Sequence, residues 1–207
     1  MSPANPQAAD RAWYIVSRWQ QYAGEGRANL LRVVAVGVFY GIQLLHFYVF
    51  TGAEARERPF HQAATALAVV WSVVALGVLL CLQRQFFPAA LKFVSTGCDV
   101  VLLTALALIG GRAHSPLVFV YFALLVLAAQ RFSLALIWMT TLGCMAGYLV
   151  LVGASDPVWF DADHAVPPVQ QLMVLASLAL TGLFLGQIVR RGQALAVEYA
   201  QRRGSAN

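Results

Sequence analysis

Residues 110–131 read GGRAHSPLVFVYFALLVLAAQR, and the number of times the chain crosses a membrane turns on them. Gly110-Gly111-Arg112-Ala113-His114-Ser115-Pro116 is a polar turn between two apolar segments. Glycine there permits φ > 0, and proline opens the helix that follows. That next apolar run, Pro116 to Gln130, is roughly 22 Å long at 1.5 Å per residue, short for a hydrocarbon core of about 30 Å.

The rest of the chain establishes the class. Its 207 residues are 60% hydrophobic and only 11% charged, whereas a soluble domain carries about 25% charged residues. The sequence is that of a membrane protein. Its net charge of +5 comes from arginine, Lys92 being the sole lysine. The basic residues stand at the ends of apolar runs, where topology accounts for them, so no nucleic-acid partner is expected. Cys81, Cys98 and Cys144 lie singly within apolar segments and read as small buried hydrophobes. The first apolar run begins after Arg27 and is too long for a signal-peptide core, so it is expected to remain as a span.

Leu30 to Phe50, Gln62 to Leu82, Leu91 to Ile109, Ser133 to Val152 and Pro168 to Val189 are each long enough to cross. Charge resolves the short segment. If Pro116 to Gln130 crosses and the N-terminus is cytoplasmic, eleven basic residues lie inside and only Arg56, Arg58 and Arg112 outside. If it is re-entrant, six lie inside and eight outside, against the positive-inside rule. The sequence therefore predicts an all-α, polytopic protein of the cell inner membrane, with both termini cytoplasmic. Residues 29–190 would form a bundle of six transmembrane helices. Before it, residues 1–28 would comprise a disordered start, Met1 to Gln7, and an amphipathic helix. Ala12, Ile15, Val16, Trp19, Tyr22 and Ala23 share one face of that helix, which would lie on the headgroups or pack on a partner. Residues 191–207 would form a cytoplasmic helical tail.

The same topology gathers His46, His61, His114 and His164 on the outer side, with Glu54, Glu57, Asp156, Asp161 and Asp163 and the interfacial aromatics Trp159 and Phe160. The histidines lack the close spacing of a ligand set, so no metal site is expected. No Walker loop, HExxH, GxSxG or intramembrane acid pair occurs, and no enzymatic activity is expected. Three helices carry glycines four apart, namely Gly37 with Gly41, Gly143 with Gly147 and Gly182 with Gly186, which allow close helix approach.

Two features remain as candidate chemistry. Asp99 lies about 10 Å along its helix from Lys92. At that depth a carboxylate either serves a ligand or proton, or is satisfied by Ser95, Thr96 or a neighbouring helix. The turn offers backbone N–H groups at a helix N-terminus, with Arg112 and His114 as further donors to a carbonyl or anion; otherwise it is a plain hairpin turn. The candidate ligand site is accordingly Asp99, Gly110, Gly111, Arg112, His114, Ser115 and Pro116.

An Asp in the third span, within Gly97-Cys98-Asp99-Val100-Val101-Leu102-Leu103, followed by Gly-Gly and then Ser-Pro-Leu opening a short fourth span, resembles the membrane sensor domain of RegB-type and PilS-type histidine kinases. The layout covers about Ala28 to Arg191. In the RegB type the turn reads Gly-Gly-x-x-Asn-Pro-Phe and is associated with sensing ubiquinone; Gly110, Gly111 and Pro116 match it. Ser115 and Leu117 stand where that motif has Asn and Phe, and one additional residue separates the glycines from the proline. The resemblance implies a sensor-like bundle without the kinase core; the Ser-Pro turn is closer to the PilS type, for which quinone binding is not implied, and the RegB likeness alone points to a quinone as ligand. The expected function is a non-enzymatic sensor-like module that binds a lipophilic ligand and relays the resulting change in helix packing to another membrane or cytoplasmic protein, or within a homo-oligomer. The alternatives are an accessory subunit of a respiratory, photosynthetic or transport complex, and a small transporter dependent on Asp99.

Overall fold

A computed structural model describes residues 6–52, 57–84, 88, 90–156 and 165–205. The expectations for Glu54, Arg56, Trp159, Phe160, Asp161, Asp163 and His164 fall outside these residues. Helix α1 (Pro6–Leu45) runs into a π-helical turn (His46–Phe50) and is followed by α2 (Arg58–Gln83) and α3 (Leu91–Ile109). Two 3-10 turns, Arg112–His114 and Pro116–Phe119, lead into α4 (Val120–Ala129), then α5 (Leu134–Ala154) and α6 (Pro168–Ser205). Among the described residues the protein is all-helical. Gly24–Phe50, Arg58–Gln83, Leu91–Ile109, Leu134–Ala154 and Pro168–Ala196 are long and apolar enough to cross a membrane, and Pro116–Ala129 is a shorter apolar helix.

Contacts between the helix ends place that short segment. At one end of the bundle, here called basal, Arg131 meets Glu25 of α1 and the Lys92 carbonyl of α3, and Gln193 of α6 bonds to the Phe132 carbonyl. At the distal end Gly110 lies against Phe60, and Ala113 N–H donates to Ser155 Oγ. The chain between Ala113 and Arg131 thus runs from one end of the bundle to the other, and α1 before Glu25 and α6 after Gln193 both extend from the basal end. Each reversal at the ends of this segment uses a residue with a left-handed backbone that is not glycine: Arg112 (φ 58°) before it and Phe132 (φ 48°) after it. Tight reversals let a short helix fit among longer neighbours. Tyr121 and Leu125 of α4 are fully buried, so the helix is covered by protein on much of its surface.

The N-terminal segment differs from the expected separate surface helix. α1 starts at Pro6 and continues without a break through residue 28 into the first span. Proline suits a first helical turn, and no later proline interrupts the run. Gly24 and Gly26 each weaken a helix by about 1 kcal/mol, too little to end one 40 residues long. Residues 6 and 7, expected in a disordered start, are likewise helical.

Helices α3 to α6 form the core, with α5 against both α3 and α6, while α1 and α2 pair with each other and join the core at its edge. Only 6% of the apolar window of α1 is buried, against 44% for α5. Glycine makes the core contacts possible. A Cβ on Gly147 would lie 2.6 Å from Thr104 Oγ1 and 2.8 Å from Tyr121 Oη, two atoms that hydrogen-bond each other at 2.7 Å. We therefore expect Gly147→Ala to separate that hydroxyl pair and cost about 1–3 kcal/mol, as overpacked cores do. Thermal unfolding in detergent checks it, and an unchanged midpoint would show that α5 does not approach α3 and α4 this closely.

Candidate functional site

The polar chemistry of the bundle converges near its basal end. Glu25, Ala28, Asn29 and Arg32 fall at helical spacing on one face of α1, and all four are buried. This stretch of α1 is inverted relative to a water-soluble helix: its charged stripe faces protein, while Leu30, Leu31, Val33 and Val34 are exposed. Arg32 donates through Nε to Asp99 Oδ1 at 2.8 Å and through Nη2 to Oδ2 at 2.6 Å, a bidentate pair. Trp71 of α2 donates its indole N–H to Asp99 Oδ1 at 2.8 Å. Asn29 accepts from Arg32 Nη1 at 2.8 Å and donates to the Ala75 carbonyl at 3.1 Å. Asp99 and Arg32 retain 1% and 2% exposure, so water contributes little to holding their charges. The neighbouring-helix alternative for Asp99 is the one the fold adopts.

A second pair lies beside the first. Arg131, in the turn after α4, donates from Nη1 to the Lys92 carbonyl, Thr96 Oγ1 and Ser95 Oγ at 2.8, 2.7 and 3.3 Å. Its Nη2 stands 3.3 Å from Glu25 Oε2, a looser approach than that of Arg32 to Asp99. Burial pushes the Arg131 guanidinium below its ordinary pKa, and the Glu25 carboxylate draws it back up. The charge stays, because a guanidinium does not deprotonate in proteins. Ser95 and Thr96, one alternative among the partners open to Asp99, serve Arg131 instead.

Above the first pair a groove of 590 Å³ opens between α1 and α2. Val33, Val36, Gly37, Ala68 and Leu76 are among its walls, and Asn29 and Trp71 join them from the ion-pair network. Trp71 therefore both lines the groove and holds Asp99. Tyr40 and Thr65, whose hydroxyls hydrogen-bond each other at 3.0 Å, add a second polar point. Its walls are mostly apolar, and it is open along one side.

The fold does not assemble the expected site as one unit. Gly110 is eleven residues from Asp99 on α3, about 16 Å along the axis, too far for a small headgroup to touch both. Within the turn, Gly110 allows a close approach: a Cβ would lie 3.2 Å from the Phe60 ring and 3.2 Å from the Leu106 carbonyl oxygen. Gly111 takes φ 107°. The N–H groups here are largely engaged: Gly110 bonds to the Leu106 carbonyl, His114 to the Gly111 carbonyl, Ser115 to the Arg112 carbonyl and Leu117 to Ser115 Oγ, while Ala113 reaches Ser155 Oγ at the end of α5. Ser115 is thus a buried helix cap. Arg112 is half-buried, and His114 and Pro116 are exposed. The turn has the construction of a stable hairpin.

His61 stacks face to face on Phe47 at 4.0 Å between ring centroids, with Tyr48 edge-on at 5.8 Å. Among the described residues no group of three or more His, Cys, Asp and Glu could hold a metal ion.

Arg32 and Arg131 read in the sequence as topology charges, and Glu25, Asn29 and Trp71 are not among the expected site residues. A usable signal was present: Glu25, Asn29 and Arg32 repeat at i, i+4 and i+7, and the last two sit within or beside an apolar run. No known protein family, curated protein or solved structure matches the chain.

Proposed function

We propose that this multi-pass membrane protein is a non-enzymatic, sensor-like module of the inner membrane, with both termini in the cytoplasm. A lipophilic, quinone-like ligand enters the groove between α1 and α2 and shifts how α1 packs on the core, and the terminal helices carry that shift to a partner protein. What supports the reading is the double role of Trp71, which walls the groove and donates to Asp99. An occupant that moves the indole alters the acceptor of Arg32, the residue that ties α1 to α3. Such a ligand biases the equilibrium only by its different affinity for the two packings.

The test is thermal unfolding of the purified protein with a short-chain ubiquinone analogue. At about 100 times Kd, binding to the folded state adds about 2.7 kcal/mol and raises the midpoint. Gly37→Leu is expected to abolish the shift, because a Cβ there meets nothing within 4 Å and the side chain can occupy the groove. Loss in an Arg112→Ala/His114→Ala variant, with retention in Gly37→Leu, would move the ligand to the distal turn. No shift in the wild type would remove the sensor reading.

One observation favours the accessory-subunit alternative. A Cβ on Gly143, Gly147, Gly182 or Gly186 would lie within 4 Å of a neighbouring helix, whereas one on Gly37 or Gly41 would meet nothing in that range. A helix of another protein can approach α1 there. A stoichiometric partner that survives gentle solubilisation and is lost in Gly41→Leu would support it.

A further inference from the structure

The turn joining α4 to α5 touches both terminal helices at adjacent residues. On one side the α1 backbone lies against it, a Cβ on Gly24 falling 3.7 Å from the Gln130 carbonyl oxygen and 3.9 Å from Arg131 Cα. Arg131 then reaches Glu25 at 3.3 Å. On the other side the Phe132 carbonyl accepts from Gln193 Nε2 at 2.9 Å, and the Phe132 ring packs on α6 at Gly192, where a Cβ would lie 3.4 Å away. Between these two grips the backbone is left-handed at Phe132, φ 48°. A bulky residue keeps that conformation only where its surroundings impose it. Arg131 Nη1, bonded to the Lys92 carbonyl, Ser95 and Thr96, anchors the turn to α3.

We propose that residues 130–133 are a coupling element that ties the positions of the two terminal helices together, so that releasing α1 at Glu25 frees α6 beyond Gly192. The physical route is short. Loss of the Glu25 carboxylate releases the turn from α1 while Arg131 Nη1 stays bonded to α3, the left-handed conformation at Phe132 relaxes, and the carbonyl turns away from Gln193. Packed elements of this kind switch between discrete arrangements, so a sub-ångström change at Glu25 becomes a docked or undocked α6. The coupling rests on the turn alone and requires no ligand in the groove.

The test uses the full chain in nanodiscs, with Cys81, Cys98 and Cys144 replaced by alanine and a spin label placed through Leu195→Cys. A second label, through Leu142→Cys on the exposed face of α5, reports retention of the fold. Gln193→Ala is expected to increase the mobile fraction at 195 directly. Glu25→Ala is expected to do the same from the other side of the turn, raising the free-to-docked ratio severalfold, since the ion pair lost there stands 3.3 Å apart without a hydrogen bond between its atoms. In a Phe132→Gly background, where the left-handed backbone is unstrained and the ring is gone, Glu25→Ala should no longer move the 195 label. Should the alanine variant disturb the 142 label, Glu25→Gln, which removes the charge and keeps the shape, carries the same expectation. A 195 label indifferent to both Glu25 variants, or one indifferent to Gln193→Ala, overturns the proposal.

Discussion

Asp99→Ala is expected to lower the free energy of unfolding by about 3–5 kcal/mol, the penalty for stranding one member of a buried ion pair. The alanine leaves Arg32, at 2% exposure, without its two carboxylate bonds, and the Trp71 indole without an acceptor. Asp99→Asn keeps an oxygen for the indole and loses the charge, so it should fall between alanine and wild type. Arg32→Met/Asp99→Leu should recover most of the loss, because a buried pair replaced by apolar side chains of similar volume is often neutral or stabilising. Reversible unfolding in mixed micelles measures all three. If Asp99→Ala unfolds within about 1 kcal/mol of wild type, which is what surface pairs give, the carboxylate is hydrated and α1 is not latched to α3 by Arg32. The double variant carries a further consequence. If the pair exists for position rather than stability, the double variant should be folded, yet its α1 should respond no longer to an occupant of the groove.

Gly182→Ala is expected to separate α5 from α6. The added Cβ would fall 2.7 Å from Thr141 Cγ2, 3.0 Å from its Cβ, and nearer still to Thr141 Oγ1. Thr141 cannot swing clear at no cost, because it is 2% exposed and its hydroxyl donates to the Ile137 carbonyl at 2.8 Å. Overpacking of this kind costs about 1–3 kcal/mol, and the clash with three atoms of the buried Thr141 side chain places this site at the upper end. Thr141→Ala removes Oγ1 and Cγ2 and should restore part of the loss in the double variant, a coupling that a double-mutant cycle reads directly. Independent, additive effects would show that the two helices do not meet at these residues. Gly37→Ala provides the contrast: with nothing within 4 Å of its Cβ, it should leave stability unchanged or raise it slightly through helix propensity.

These outcomes bear on how much was legible without coordinates. Five spans followed from length and apolarity, and their observed helices agree with the expected ranges to within a few residues, apart from the ends that extend beyond the apolar windows. The glycines of α5 and α6 were flagged by spacing, and both pairs lie against neighbouring helices. The glycines of α1 carry the same spacing and face open space, so spacing marks the capacity for close approach and not its use. Asp99 was singled out because a carboxylate in an apolar run needs a partner, but its partner is 67 residues away in sequence. The repeat of Glu25, Asn29 and Arg32 along α1 marks Arg32 as facing inward, but nothing local says which residue it meets. Placing Asp99 and the Gly110 turn in one site failed for a related reason: eleven residues of helix look adjacent in a sequence and are about 16 Å apart in space.

Hydrophobicity, the run lengths and the placement of arginines are additive properties of a chain. They sufficed for an all-helical membrane bundle, for the tight turn at Gly110 and Gly111, and for a buried carboxylate in need of company. Pairing is not additive. That Arg32 and Trp71 complete Asp99, that Glu25 meets Arg131, that the short fourth segment joins the two ends of the bundle, and that a groove opens between α1 and α2, all depend on which helix faces lie against which. Those choices are made by the packing of the whole bundle, where an unpaired charge out of water is too costly to leave standing.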